Sequence, residues 1–528
     1  MNEYSYMEKQ PLRPNMALAL IGFCVLFGLM LACVRSLQSD ETLFFSVSSQ
    51  AEGPEGSQHS SPKSLYAFST RAPGEPIRTP TPDDPHPLPA MRTQAEVYTV
   101  QAGDTLGNIA RKYSIGIQQL VEANNISDPD LLEVGQVLEI PVAEPESAPS
   151  HFKIIPDAEL VYGPPSAYFD IANFVEQQGG YLAAYTEEIE GQSLTGSQII
   201  ARVAGDFSVG PRILLAILEY QSNWVTNPAP PPQKIAAPMG LADPGRSGLY
   251  AQLSWAANTL NRGYYLWRVN GIGSWLLSDG KIVPIPPTIN AGTAGVQGFF
   301  ASLYEYPAWL KAVSSDGVFS VFESLFGYPF DYSFEPVVPN DLTQPVFQLP
   351  FETGKTWAFT GGPHGAWGDG TAWGALDFAP PSESAGCVQS DEWVVAIADG
   401  VVVRTGSGAV FQDLDETDGT PADGLEQTGW VILYMHIESR DRVQPGTRLK
   451  AGERIGHPSC EGGFSSGTHV HIARRYNGEW ISADQGLPFI LDGWVSSGNG
   501  VEYDGFLTRN SQLIEAFAGI SPANGIQR

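Results

Sequence analysis

GTHVHIARR, residues 467–475, alternates as a strand does, and that period puts His469 and His471 on one face of a sheet. Working outward, three more short runs each carry a metal-competent side chain. LYMHI (433–437) holds His436, WGALDF (373–378) holds Asp377, and TGGPHGAWGDG (360–370) holds His364 and Asp369. Short apolar runs and Gly-rich turns continue through 346–528, which predicts an all-β domain there. WVVAIADGVVVRTG (393–406) is expected as two strands around an Asp399–Gly400 hairpin turn. Paired imidazoles on a sheet can set one nitrogen on a zinc ion and another beside the water it activates.

The chain has 528 residues, too many for one ordinary core, so several modules are expected. Its net charge is -29, which excludes a basic, phosphate-neutralising surface and nucleic acid as a partner. Residues 15–34 are almost wholly apolar, flanked by Arg13 and Arg35, and long enough to span a bilayer as a helix. A retained membrane anchor is the expectation, with residues 1–14 cytoplasmic. A cleaved signal peptide and a lipoprotein-like box at MLAC (30–33) are the alternatives. Each delivers the bulk of the chain outside the cytoplasm. Cys387 and Cys460 both fall in the β domain, where export favours a disulfide over two free thiols. Residues 35–96, rich in Pro, Ser and Thr, are expected to be a disordered linker.

Residues 97–142 read as strand, helix, helix, strand. YTVQAGDTLGNIARKY turns at Ala102–Gly103 into a helix that Asp104 or Thr105 can cap, LVEANNI lies in the second helix, and LEVGQVLEIP closes with a strand. This unit resembles a LysM domain, a βααβ module that binds N-acetylglucosamine-containing glycans such as peptidoglycan. The resemblance implies a groove with Gly103, Asp104, Thr105 and Leu106 on one side and Asn125, Ile126 and Ser127 on the other.

Residues 151–345 read as a mainly helical domain, with helices expected at 197–207, 211–224, 249–268 and 291–306. LLAILEYQSNW (214–224) weakly resembles the lysozyme-like fold of lytic transglycosylases, where a catalytic Glu precedes Ser. Here Gln221 stands before Ser222. Glu219 lies two positions earlier, and packing or substrate positioning suits it better than acid catalysis.

The C-terminal domain resembles the M23 metallopeptidases, the LytM or lysostaphin-like zinc endopeptidases with a split-barrel or β-sandwich fold. Tyr434-Met435-His436, VQPGTRLKAGERIG (443–456) and His469-Val470-His471 carry the resemblance. It implies Asp377 and His471 as zinc ligands and His436 and His469 as catalytic histidines acting on peptidoglycan peptide bonds. The chain departs from the family at the first ligand, because Trp373 stands four residues before Asp377 where a His is usual, and Trp cannot ligate zinc. His364 is the expected replacement, folded back by a hairpin, with Asp369 a weaker candidate. The expectation is a zinc-dependent peptidoglycan endopeptidase tethered by LysM. The alternative is an inactive M23-like protein that binds cell wall or activates another hydrolase.

Overall fold

The computed structural model describes residues 80, 82–113, 115–129, 131–142, 144–414 and 423–528. The chain divides into two units, residues 1–51 and 52–528, and every described residue belongs to the second. The apolar segment 15–34 and most of the 35–96 linker lie outside the described residues. Among the described residues no helix is long and apolar enough to cross a membrane.

The last part of the linker is not a free spacer. The Asp83 and His86 amides donate to the Thr288 and Pro287 carbonyls at 3.0 and 2.8 Å. Lys153 pairs with Asp83 at 2.6 Å, and the His86 ring stacks on Trp267 at 4.5 Å. Prolines already hold this stretch extended, so docking it costs little further backbone entropy.

The first module pairs β1 (Glu96–Thr99) antiparallel with β2 (Val137–Ile140) around α1 (Leu106–Lys112) and α2 (Ile117–Asn124). Its small core holds Leu106, Ile109, Leu120, Leu138 and Ile140. The helical domain follows with α3 (Gly196–Phe207), α4 (Pro211–Ser222), α5 (Leu249–Arg268) and α6 (Ala291–Ala301). Thr195 caps α3 with Gln198 answering in a capping box, and Pro211 opens α4, where a missing N–H costs nothing. The helix expected over 291–306 stops at Ala301, and a second one, Tyr306–Ala312, begins with Pro307 in its first turn.

The C-terminal domain is built on a nine-stranded antiparallel sheet. Its strands are β3 (Thr356–His364), β4 (Ala375–Ala379), β5 (Gly400–Gly406), β6 (Ala409–Asp413), β7 (Trp430–Met435), β8 (Arg448–Leu449), β9 (Val470–Tyr476) and β10 (Gly525–Gln527), in the order β8-β5-β6-β7-β9-β4-β3-β10, with Glu479–Trp480 paired to β9. The Asp399–Gly400 hairpin does not form. Val394–Val395 pairs with Arg454–Gly456, and the tight turn after β5 is at Ser407–Gly408. Asp399 is drawn away instead by Lys450 Nζ and the Ala451 amide, both at 2.8 Å.

The two faces of the sheet serve different cores. Leu376, Phe378, Ile432, Tyr434 and Ile472 pack within the β domain. Ala375, Leu433, Met435 and Ala473, on the other face, join the core of the helical domain. Buried charge locks this contact. Arg404 reaches Asp206 of α3 at 2.5 Å and Glu426 at 2.6 Å, while Arg475 binds Glu426 and donates to the Gly205 carbonyl at 3.1 Å. Glu426 belongs to the acidic stretch 414–427, of which residues 415–422 lie outside the described residues.

Candidate metal centre

The register of four strands aligns the site. Met435, His471, Asp377 and Gly361 stand opposite one another across β7, β9, β4 and β3. Glycine at 361 leaves room for the Asp377 side chain, since a Cβ there would lie 2.5 Å from Asp377 Oδ2. His364 ends β3, three residues after Gly361. Strict alternation would turn it to the opposite face. The ladder slips between Gly361 and His364, so that His364 stands opposite Ala375. This bulge returns the imidazole to the Asp377 face.

His364 Nε2, His471 Nδ1 and a carboxylate oxygen of Asp377 converge, all three residues being buried. His364 Nε2 lies 2.9 Å from His471 Nδ1, and each lies 3.3 Å from Asp377 Oδ1. The opposite ring nitrogens face carbonyls, His364 Nδ1 at 2.8 Å from Gly362 O and His471 Nε2 at 2.9 Å from Ala366 O. A carbonyl only accepts, so each neutral ring spends its proton there and turns a lone pair inward. Asp377 Oδ1 is buried and, among the described residues, has no hydrogen-bond partner. Three lone pairs thus face one another without a proton between them, an arrangement that a cation resolves. The donor set of two imidazoles and one carboxylate suits zinc with a fourth position open.

Electrostatics points the same way. Burial would raise the Asp377 carboxyl, but His364 and His469 outweigh it and hold it well below the usual range. Burial depresses His364, and the pull of Asp377 more than reverses this. Burial first, and then the neighbouring His364, lower His471, so the Asp377 carboxylate faces one raised and one lowered imidazole. Gly361→Ala is expected to push the carboxylate aside and weaken metal binding about 10–100-fold with the fold retained, as chelator competition would measure.

His436 and His469 flank this group. Their Nδ1 atoms face the carbonyls of Glu461 at 3.0 Å and Gly467 at 2.7 Å. His469 Nε2 lies 3.7 Å from Asp377 Oδ1, and the His436 and His469 ring centres are 4.4 Å apart. Burial first, then His469 and His471, push His436 down to about 3, so its ring is neutral at ordinary pH. It follows β7 in the left-handed region, at φ 64°, which turns its side chain out of the strand's alternation. Cys387 and Cys460 are bonded with S–S 2.09 Å, tying the loop before Val394 to the one that bears Glu461.

Tyr503 was not singled out from sequence. It lies between Trp494–Ser497 and Phe506–Arg509, two strands of a separate four-stranded sheet, exchanges backbone hydrogen bonds with Gly362 and Pro363 at 2.8 and 3.1 Å, and stacks on His364 at 4.2 Å. Its only local signal is an aromatic among glycines. Asp369 is turned away from the centre toward Asn258. Trp373 contributes its carbonyl to the Ala483 amide at 2.8 Å.

The remaining candidates lie elsewhere. Gly103 turns at φ 91°, Asp104 accepts from Tyr98 and the Gln101 amide at 2.7 Å each, and Thr105 accepts from the Asn108 amide at 3.1 Å. Leu106 is 3 % exposed, so its side chain belongs to the core rather than to a groove. Asn125 is exposed beyond α2 in the left-handed conformation, and Ile126 packs partly on the module's core. The Glu219 carboxylate accepts from the Val225 and Thr226 amides at 2.9 and 3.1 Å and from Thr226 Oγ1 at 2.5 Å, so it holds the chain after α4. Gln221 is buried and accepts from the Tyr304 hydroxyl at 2.5 Å.

Comparison with known proteins adds the families. Residues 98–141 match the LysM domain, 153–338 match the LasA N-terminal domain, and 384–483 match peptidase family M23. The M23 match takes in His436, His469 and His471 and begins after His364 and Asp377. Protease LasA of Pseudomonas aeruginosa is 24 % identical over 353 residues, 63 % of this chain and 76 % of its own. The M23 metalloprotease pseudoalterin is 25 % identical over 35 % of this chain and 98 % of its own, with a TM-score of 0.28. The catalytic domain of lysostaphin from Staphylococcus simulans is 22 % identical over 24 % of this chain and 88 % of its own, with a TM-score of 0.17. The chain thus carries a LysM domain, a LasA N-terminal domain and, C-terminal to both, a domain of peptidase family M23.

Proposed function

We propose that the protein is a zinc-dependent endopeptidase that cuts peptide bonds in peptidoglycan and is held on the wall glycan by its LysM domain. The observation that carries this reading is the convergence of His364, Asp377 and His471 with their ring protons engaged outward. The inactive-scaffold alternative rests on Trp373, and the position of His364 beside Asp377 and His471 supports the active reading over it.

His364 Nε2, His471 Nδ1 and Asp377 would hold the ion. When bound, zinc supplies Lewis-acid polarisation of a carbonyl and lowers the pKa of water. His469 turns its Nε2 toward Asp377, His436 lies beside it, and the Glu461 and Gly467 carbonyls fix the two rings through Nδ1. A neutral His436 whose Nδ1–H is held by a carbonyl can accept a proton at Nε2, and the ring that has taken it up can give it to a leaving amine. Tyr503 covers one side of His364 and narrows the approach. In the LysM domain, exposed Gly103, Thr105, Asn125 and Ser127, with Asp104 and Ile126 beside them, would line the glycan groove. Export, and attachment to the cell membrane, rest on the apolar segment 15–34.

The test is digestion of purified peptidoglycan by the full chain, with the products analysed by mass. New free amino and carboxyl ends on stem or cross-bridge peptides, lost on chelation and restored by zinc, are expected. Products cut only between sugars, or digestion unaffected by chelation, would overturn the reading.

A further inference from the structure

The segment 365–374 joins β3 to β4, and so joins His364 to Asp377. It does not close as a short turn. It leaves the β domain and seats on the helical domain, where Asn258 of α5 receives it. Asn258 Nδ2 donates to Asp369 Oδ1 at 2.5 Å, and Asn258 Oδ1 accepts from the Gly370 amide at 2.9 Å. The contact is close enough that a Cβ on Gly370 would lie 2.0 Å from the Asn258 carbonyl oxygen. Trp367 meets Phe207 of α3 edge-on at 6.4 Å, and Ala366 and Ala372 lie buried in the helical domain's core.

Inside the segment a hydrogen-bonded turn carries this anchorage back to the metal centre. Thr371 Oγ1 accepts from the Trp367 and Gly368 amides at 3.1 and 3.4 Å and donates to the Gly368 carbonyl at 2.7 Å. The Ala366 amide donates to Ala372 O at 3.0 Å. The Ala366 carbonyl then receives the His471 Nε2 proton at 2.9 Å. That bond decides which nitrogen of His471 keeps its lone pair for the metal. A carbonyl orients an imidazole only as well as its own peptide is held, and this peptide is held from the helical domain.

We propose that Asn258 is a positioning residue of the metal centre. It clamps Asp369 and Gly370, fixes the Ala366 carbonyl, and so sets the tautomer and ring plane of His471. The helical domain is then part of the metal centre's outer shell, and the wide separation of His364 and Asp377 in sequence gives the chain enough length to reach it. The inference rests on the reading of His364, Asp377 and His471 as a divalent-metal site. Outer hydrogen-bond partners of ligand histidines typically govern metal affinity by about 10–100-fold.

The experiment measures the zinc dissociation constant of the full chain by competition with a chromophoric chelator. The visible absorption of the cobalt(II)-substituted protein and the melting temperature of the metal-free protein are followed alongside. Asn258→Asp sets two carboxylates against each other and is expected to weaken zinc about 10-fold or more and to alter the cobalt spectrum. Asp369→Ala removes an exposed partner without disturbing a core, and is expected to weaken zinc in the same direction. The double exchange Asn258→Asp with Asp369→Asn restores the original donors and acceptors in mirrored roles, and should recover both zinc affinity and spectrum. Wild-type zinc affinity and an unchanged cobalt spectrum in both single variants would overturn the inference and leave the metal centre standing. Failure of the unmodified chain to bind zinc would overturn the metal reading itself, and the inference with it.

Discussion

His364→Ala is expected to yield a folded protein without stoichiometric zinc and with peptidase activity reduced by more than about 100-fold, beyond the range typical of outer-shell changes. The remaining donors, Asp377 and His471, make a two-ligand site, whereas catalytic zinc ordinarily has three protein ligands. Asp369 is engaged elsewhere, its Oδ1 accepting from Asn258 Nδ2 of the helical domain at 2.5 Å. His436→Ala makes the informative contrast. Its ring lies beside the converging donors rather than among them, so that variant should keep its metal and still lose about 10²–10⁴-fold in rate as a proton-transfer partner disappears. Metal content by atomic emission and turnover on one peptide substrate separate the two effects. A His364→Ala protein that retains one zinc per chain would refute the assignment.

The second large effect is expected at Glu426. Truncation to alanine leaves the fully buried Arg475 guanidinium with the Gly205 carbonyl and no carboxylate, and strips Arg404 of one of its two. Breaking one partner out of a buried charge network costs about 3–5 kcal/mol, mostly as uncompensated buried charge. Because the network spans α3, β5 and β9, the loss should loosen the contact between the helical and β domains as well as lower the urea midpoint. Burial pushes the Glu426 carboxyl up, and the two arginines more than offset it, leaving its folded pKa lowered. A lowered carboxyl pKa contributes stability that is present above the unfolded value and lost as pH falls through the folded one. The wild-type protein should therefore lose this contribution in acid, and Glu426→Gln should flatten that limb of the stability profile. A change below about 1 kcal/mol, the scale of exposed pairs, would show the network to be dispensable.

Much of this architecture was legible in local pattern. The βααβ module follows from helical spacing between two short strands, and the helical domain from apolar faces opened by Thr195 and Pro211. In the β domain, period two was enough to put Asp377 on one strand and His471 on another, with His469 just before it and also facing Asp377. These are local properties, set by backbone sterics and side-chain alternation. Where a local signal met a distant partner, it failed. Asp399–Gly400 carries a hairpin signature, yet Lys450 and Ala451 take the Asp399 carboxylate and the strands pair elsewhere. The Pro-rich linker has no core of its own to reveal, and its end docks because Lys153, Trp267 and the loop at 286–288 wait for it.

The sequence by itself determined that the chain carries a βααβ module of the LysM type and a β domain with Asp377, His436, His469 and His471 in metal-competent order. It also offered His364 as the candidate for the donor that Trp373 cannot be. Only the tertiary structure decided whether that donor arrives. Counted from Gly361, His364 has the wrong parity for the Asp377 face, and alternation alone would bury it on the other side of the sheet. The ladder slip between Gly361 and His364 corrects the parity, and the backbone bonds of Tyr503 to Gly362 and Pro363 span that stretch. A bulge is a property of two strands and their neighbours together, so no reading of one strand's period contains it.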